Sequence, residues 1–140
     1  MGRFDGPHFE SVGEAQVSIW AGVCSLDDLP EDYLDADFAA PDDAPWSPFS
    51  EEFGFGCFDE DLAEGNVSST AEPVPIAELL QEMSYSETYR DAVVAAAKAK
   101  NVSQTAFVFM IFDFAYDPAV TGIERTDHMQ FLGVFTYEFE

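Results

Sequence analysis

The side chains with the greatest chemical potential in this chain are carboxylates. Asp35, Asp37, Asp42, Asp43, Asp59, Glu60 and Asp61 all fall in one acid-rich window from Asp27 to Glu64. Clustered acids can ligate a hard cation, divide the acid and base roles of glycoside hydrolysis, or meet the Lys and Arg of a partner. Asp35-Ala-Asp37 begins as a calcium-binding loop begins. The glycine that such a loop needs at its sixth position and the glutamate at its twelfth are missing. Asp59 and Asp61 form a weaker pair still. With 28 Asp and Glu in 140 residues, two neighbouring acids say little about glycosidase chemistry. The third use has more support. Tyr33, Phe38, Trp46, Phe49, Phe53, Phe55 and Phe58 stand in the same window, and no Lys or Arg occurs between Phe4 and Tyr89. Aromatic side chains anchor an interface, and carboxylates steer and pair with cations. The expected partner-binding residues are therefore Asp35, Asp37, Asp42, Asp43, Trp46, Asp59, Glu60 and Asp61, and the expected partner is a basic protein. The competing reading is a salt adaptation with no specific cationic partner; fourteen Phe fit that reading less well.

Other chemistries lack their residues. His8 and His128 are isolated, with no HExxH, which argues against zinc. His128, beside Arg125 and Asp127, reads as a surface residue. Gly54-Phe55-Gly56 is not a phosphate loop. Cys57 has no basic residue near it in sequence to lower its pKa. Cys24 and Cys57 lie far apart and read as reduced, small core residues. A binding protein is expected rather than an enzyme, with no cofactor and no metal. The formal charge of −23 disfavours nucleic acid and anionic membranes, because phosphate contacts need Lys and Arg. No stretch reaches transmembrane length. MGRFDGPHFESVG lacks the apolar core of a signal peptide, and Gly2 is not followed by the Ser or Thr of a myristoylation signal. The expected location is cytoplasmic.

The elements that must hold these residues are legible from periodicity. Ala106–Phe112 is an unbroken run of apolar, β-branched and aromatic residues, which predicts a central strand covered on both faces. Asp113, Tyr116 and Asp117 follow it, and Pro118 stops it. Ala15–Val23 alternates Val17 and Ile19 against Gln16 and Ser18, a first strand. Ser25 and Asp28 suggest the capping of a helix whose apolar face is Leu26, Leu29, Tyr33 and Leu34. Residues 35–48 read as an irregular acidic loop with an exposed Trp46. Ser50 is placed to cap a short turn, Phe55–Phe58 is a short strand, and Asn66–Thr70 an edge strand or loop. Pro75 opens a helix with Ile76, Leu79, Leu80 and Met83 on one face. Ser86 caps a longer helix, Glu87–Lys100, with Tyr89, Val93, Ala96 and Ala97 as its stripe, and Asn101 ends it. Gln130–Phe139 is the last strand, alternating Leu132 and Val134 against Phe131, Gly133 and Phe135. The expected fold is α+β: a mostly antiparallel sheet of about four strands with helices packed on one face, the last two strands pairing as a hairpin. Residues 1–14 are expected as a loosely ordered lead-in and 15–140 as a single domain.

The order of the pieces carries a resemblance. Val-Ser-Ile-Trp (Val17–Trp20) precedes an acidic stretch, then Ser47-Pro48-Phe49, Glu51-Glu52-Phe53-Gly54 and Phe58-Asp59-Glu60-Asp61. Met83-Ser84-Tyr85-Ser86-Glu87, Phe112-Asp113-Phe114, Tyr116-Asp117-Pro118 and Phe131-Leu132-Gly133-Val134-Phe135-Thr136-Tyr137 follow. From about residue 15 to 138 this resembles the immunity protein 22 family of bacterial polymorphic toxin systems. The resemblance implies a cytoplasmic α+β protein that binds and neutralises a toxin encoded beside it, often a nuclease. It implies little about which residues touch the toxin.

Overall fold

The computed structural model of the protein describes residues 9–11, 15–30, 33–34 and 46–138. Among them the chain runs β1 (Gln16–Gly22), α1 (Pro48–Phe53), β2 (Ala63–Val67), β3 (Val74–Pro75), α2 (Ile76–Leu80), α3 (Ser86–Ala99), β4 (Gln104–Thr105), β5 (Phe107–Phe112), α4 (Pro118–Thr121) and β6 (Met129–Thr136). Single 3₁₀ turns at Leu26–Asp28 and Glu60–Leu62 complete the described elements. Four strands form one sheet in the order β2-β5-β1-β6, each pairing antiparallel, and β3 and β4 form a separate two-stranded ribbon. The fold is α+β, as expected.

β5 is the strand that the apolar run predicts. All six of its residues are buried, because it has a strand on each side and a layer on each face. Val108, Met110 and Phe112 face a core built with α2 and α3, including Leu79, Leu80, Tyr89, Val93 and Ala97. Phe107, Phe109 and Ile111 face a second core, rich in aromatics, with Trp20, Phe49, Phe53, Phe55 and Phe58. α2 and α3 thus cover one face. The opposite face is covered by α1 and by aromatic side chains of irregular segments.

Several local readings are corrected. β5 and β6 do not form a hairpin: β1 lies between them and pairs with both. The polar–apolar alternation of β1 is misleading for the same reason. Ser18 is fully buried; its hydroxyl donates to Phe114 O at 2.6 Å and accepts the Tyr116 N–H at 2.9 Å. The helix expected after Ser25 is one 3₁₀ turn without a side-chain cap, because Pro30 has no N–H to continue it. The cap of α1 is Ser47, three residues before Ser50, the expected capping residue. Ser47 Oγ accepts the Ser50 N–H at 3.1 Å while Ser50 Oγ accepts the Ser47 N–H at 3.0 Å. Phe55–Phe58 is not a strand, though Phe55 and Phe58 are buried. The edge strand expected at Asn66–Thr70 lies earlier, at Ala63–Val67. Ser86 is the first residue of α3 rather than its cap.

The last strand alternates as read only in part. Its register against β1 shifts between Ile19 and Trp20, opposite Gly133 and Phe131. Gly133 has φ +142°, a conformation that side chains disfavour. The bulge exchanges the faces: Phe131 and Val134 belong to the aromatic core, and Leu132 and Phe135 to the other. Residues 9–11, within the expected lead-in, are tied to the chain after β5. Glu10 bridges Phe114, Ser11 N–H donates to Asp113 O at 2.8 Å, and the Phe9 ring lies 5.3 Å from that of Tyr116.

Candidate functional site

The described residues of the acid-rich window are held in place from two sides. On one side, Tyr33 is buried and its hydroxyl donates to Glu52 Oε1 at 2.7 Å. His128 Nδ1 lies 2.8 Å from Glu52 Oε2 and its ring lies 4.9 Å from that of Tyr33. An ionised carboxylate only accepts, so Nδ1 carries the hydrogen. Burial alone would raise the Glu52 carboxyl, but hydrogen bonds from His128, Tyr33 and Thr126 outweigh it and hold the pKa below the ordinary value. Burial and the Glu52 charge push the Tyr33 phenol far up. This cluster ties the turn at Tyr33 to α1 and to the start of β6. His128 is accordingly a partly buried hydrogen-bond partner of Glu52, not the surface residue its neighbours suggested.

On the other side, Phe58 is the hinge between core and surface. Its ring is 3 % exposed and sits 6.1 Å from Phe49, 6.0 Å from Phe109 and 6.3 Å from Trp46. The next residue, Asp59, caps the 3₁₀ turn Glu60–Leu62 by accepting the Asp61 N–H at 2.9 Å. That turn feeds β2, so the geometry of Asp59, Glu60 and Asp61 is set by the sheet edge that follows.

Two adjoining surface cavities result. One, of about 240 Å³, is lined by Trp46, Phe58, Asp59, Glu60 and Asp61. The next, of about 300 Å³, is lined by Leu34, Phe58, Glu60, Ala63, Glu64, Gly65 and Phe109. They share Phe58 and Glu60. The floor is aromatic and aliphatic; the charged lining residues are all acidic. Such a groove suits the aliphatic stem and cationic head of Lys or Arg, which need apolar surface and carboxylate respectively. Four of the sequence-expected residues, Trp46, Asp59, Glu60 and Asp61, therefore meet around one cavity. Asp35, Asp37, Asp42 and Asp43 lie outside the described residues. Leu34 and Trp46, which flank positions 35–45, line the two adjoining cavities. Sequence reasoning missed Leu34, Gly65 and Phe109 as groove residues. Gly65 lies just outside the strand or loop expected at Asn66–Thr70, so no local signal marked it.

A wider cavity of about 440 Å³ lies elsewhere, lined by Gly22, Cys24, Asp27, Thr105 and Arg125 among others. Burial, then the Asp28 charge, raises the Cys24 thiol, the wrong direction for a nucleophile. Among the described residues no three His, Cys, Asp or Glu side chains group to hold a metal ion, and no helix is long and apolar enough to cross a membrane.

The fold is that of a small α+β protein, and the described residues include an aromatic-floored groove whose charged lining is acidic. The sequence profile of the family described as Immunity protein 22 matches residues 17–138, and the chain belongs to that family. No curated protein and no solved structure matches it.

Proposed function

We propose that this chain binds and neutralises a cognate toxin by covering a basic surface of it with the acidic groove at Trp46, Phe58 and Asp59–Asp61. The observation that carries the reading is the composition of the groove, an apolar floor under a rim of carboxylates with no Lys or Arg in its lining. A nuclease is the toxin class that fits best, because a nucleic-acid cleft must present Lys and Arg to phosphates. An acidic protein competes for that cleft directly. The protein acts by binding, in the cytoplasm of the cell that makes it, with no nucleic acid, membrane or cofactor of its own. Asp35, Asp37, Asp42 and Asp43 extend the same charge along the chain.

The test is binding kinetics with the toxin domain encoded beside this chain, at low and moderate salt. Paired Asp59→Asn and Asp61→Asn changes should slow association about tenfold, since rim charges act mainly on encounter. Trp46→Ala should leave association alone and speed dissociation about 30-fold, the size expected of an interface anchor. Salt-insensitive binding that neither variant alters would place the interface elsewhere.

A further inference from the structure

Among the described residues, no strand pairs with the outer edge of the sheet beside the groove. β2 pairs on its inner side with β5 and is the outermost strand of the described sheet. Antiparallel pairs alternate between residues that exchange both backbone bonds and residues that exchange none. Ser68 N–H donates to Ala106 O at 2.8 Å, so even-numbered positions of β2 bond inward. Ala63, Gly65 and Val67 then turn their N–H and C=O groups outward. Two of these three donors are used locally: Ala63 N–H reaches Glu60 O, and Val67 N–H reaches Asn66 Oδ1 at 3.0 Å. The Gly65 N–H is left without a partner among the described residues, next to outward carbonyls on both sides.

The side-chain surface along this edge is equally unfinished. Gly65 and Val67 lie on the face that carries Phe109, and Val67 is 56 % exposed, one of two exposed large hydrophobic residues described. Gly65 does not need its glycine for backbone conformation, since its φ is not positive. An added Cβ there would meet Val108 O at 3.4 Å and Phe109 at 3.5 Å, close to ordinary contact. What the missing side chain does is leave the cavity over Phe58 and Phe109 open at the strand. Natural proteins usually cover, twist or charge such an edge.

Here the charge has one sign. Asp59, Glu60 and Asp61 precede β2, and Glu78 and Glu82 line a cavity of about 220 Å³ on its other flank, with Asn66 and Val67. A second copy of this chain would bring the same carboxylates against these, because a twofold contact is self-facing. A basic strand meets complementary charge on both flanks. We propose that an extended segment of the toxin, with Lys or Arg at alternate positions, adds to β2 as a further strand and seats one side chain in the cavity at Phe58, Gly65 and Phe109. Strand addition of this kind draws affinity from main-chain bonds and specificity from alternate side-chain pockets. The inference rests on the immunity reading above and specifies how the toxin is held.

Amide hydrogen exchange of the intact protein, free and saturated with the toxin domain encoded beside it, reads the edge directly. The Gly65 amide should exchange at least tenfold more slowly in the complex. Gly65→Pro provides a second reading, because proline is tolerated where an edge N–H faces outward. Its melting temperature should stay near that of the parent while toxin affinity falls at least tenfold. Unchanged Gly65 exchange in a complex that Asp59→Asn and Asp61→Asn still weaken would overturn strand addition and leave the immunity reading standing. Failure of the parent protein to bind the toxin would remove both. Protection of Gly65 in the free protein, with a dimer in sedimentation, would give the edge to a second copy and overturn the proposal.

Discussion

Replacing Ser18 with alanine isolates a polar side chain that joins β1 to the chain after β5. Ser18 is 0 % exposed, and its single hydroxyl serves two backbone groups: it donates to Phe114 O at 2.6 Å and accepts the Tyr116 N–H at 2.9 Å. Both groups belong to the crossing that brings Phe114 and Tyr116 into the aromatic core, where each is 2 % exposed. Alanine removes the hydroxyl and leaves a buried donor and a buried acceptor unpaired. A buried group left unsatisfied costs about 1–3 kcal/mol, so the pair together should cost about 2–6 kcal/mol. The volume change is small, and a cavity contribution stays minor beside it. For a chain of this size the loss corresponds to a drop in Tm of roughly 6–18 °C. Urea unfolding followed by circular dichroism measures it, and the midpoint should fall with the slope unchanged. A loss below about 0.5 kcal/mol would refute the reasoning, because it would mean that solvent replaces the hydroxyl at a position taken to be dry.

Acid should act partly through Glu52. Its folded pKa is depressed, so its stabilisation is complete above the unfolded carboxylate value of about 4.3 and is lost as pH falls through the folded value. The stability gap between the parent and Glu52→Gln, from urea midpoints, should be widest near pH 7 and close towards pH 3. Salt should stabilise the protein: 28 acids face 5 Lys and Arg, and screening their repulsion is effective once the Debye length falls to about 8 Å at physiological ionic strength. Calorimetry at low and moderate salt should show Tm rising; a flat or falling Tm would contradict uncompensated surface charge.

The sequence by itself determined what depends on local pattern and composition. The run from Ala106 to Phe112 had to be a doubly covered strand, since seven consecutive apolar residues leave no face for water. The helical stripe of Tyr89, Val93 and Ala97 placed α3, and Asn101 ended it in a left-handed conformation, φ 63°. Net charge and the absence of Lys and Arg through the acid-rich window are likewise set by composition, and they are the ground for expecting a cationic partner. Tertiary structure decided what depends on neighbours distant in the chain. Insertion of β1 between β5 and β6 is a choice among long-range pairings, and short separation along the chain does not specify it. Ser18 looked solvent-facing because its two partners lie 96 and 98 residues away. His128 looked exposed because Glu52 is 76 residues away. The groove is the clearest case. Trp46 and Asp59–Asp61 could be named from residue type, but Phe109 and Gly65 join them only because β2 pairs with β5 and sets both beside Phe58, a juxtaposition made by sheet register rather than by any local signal.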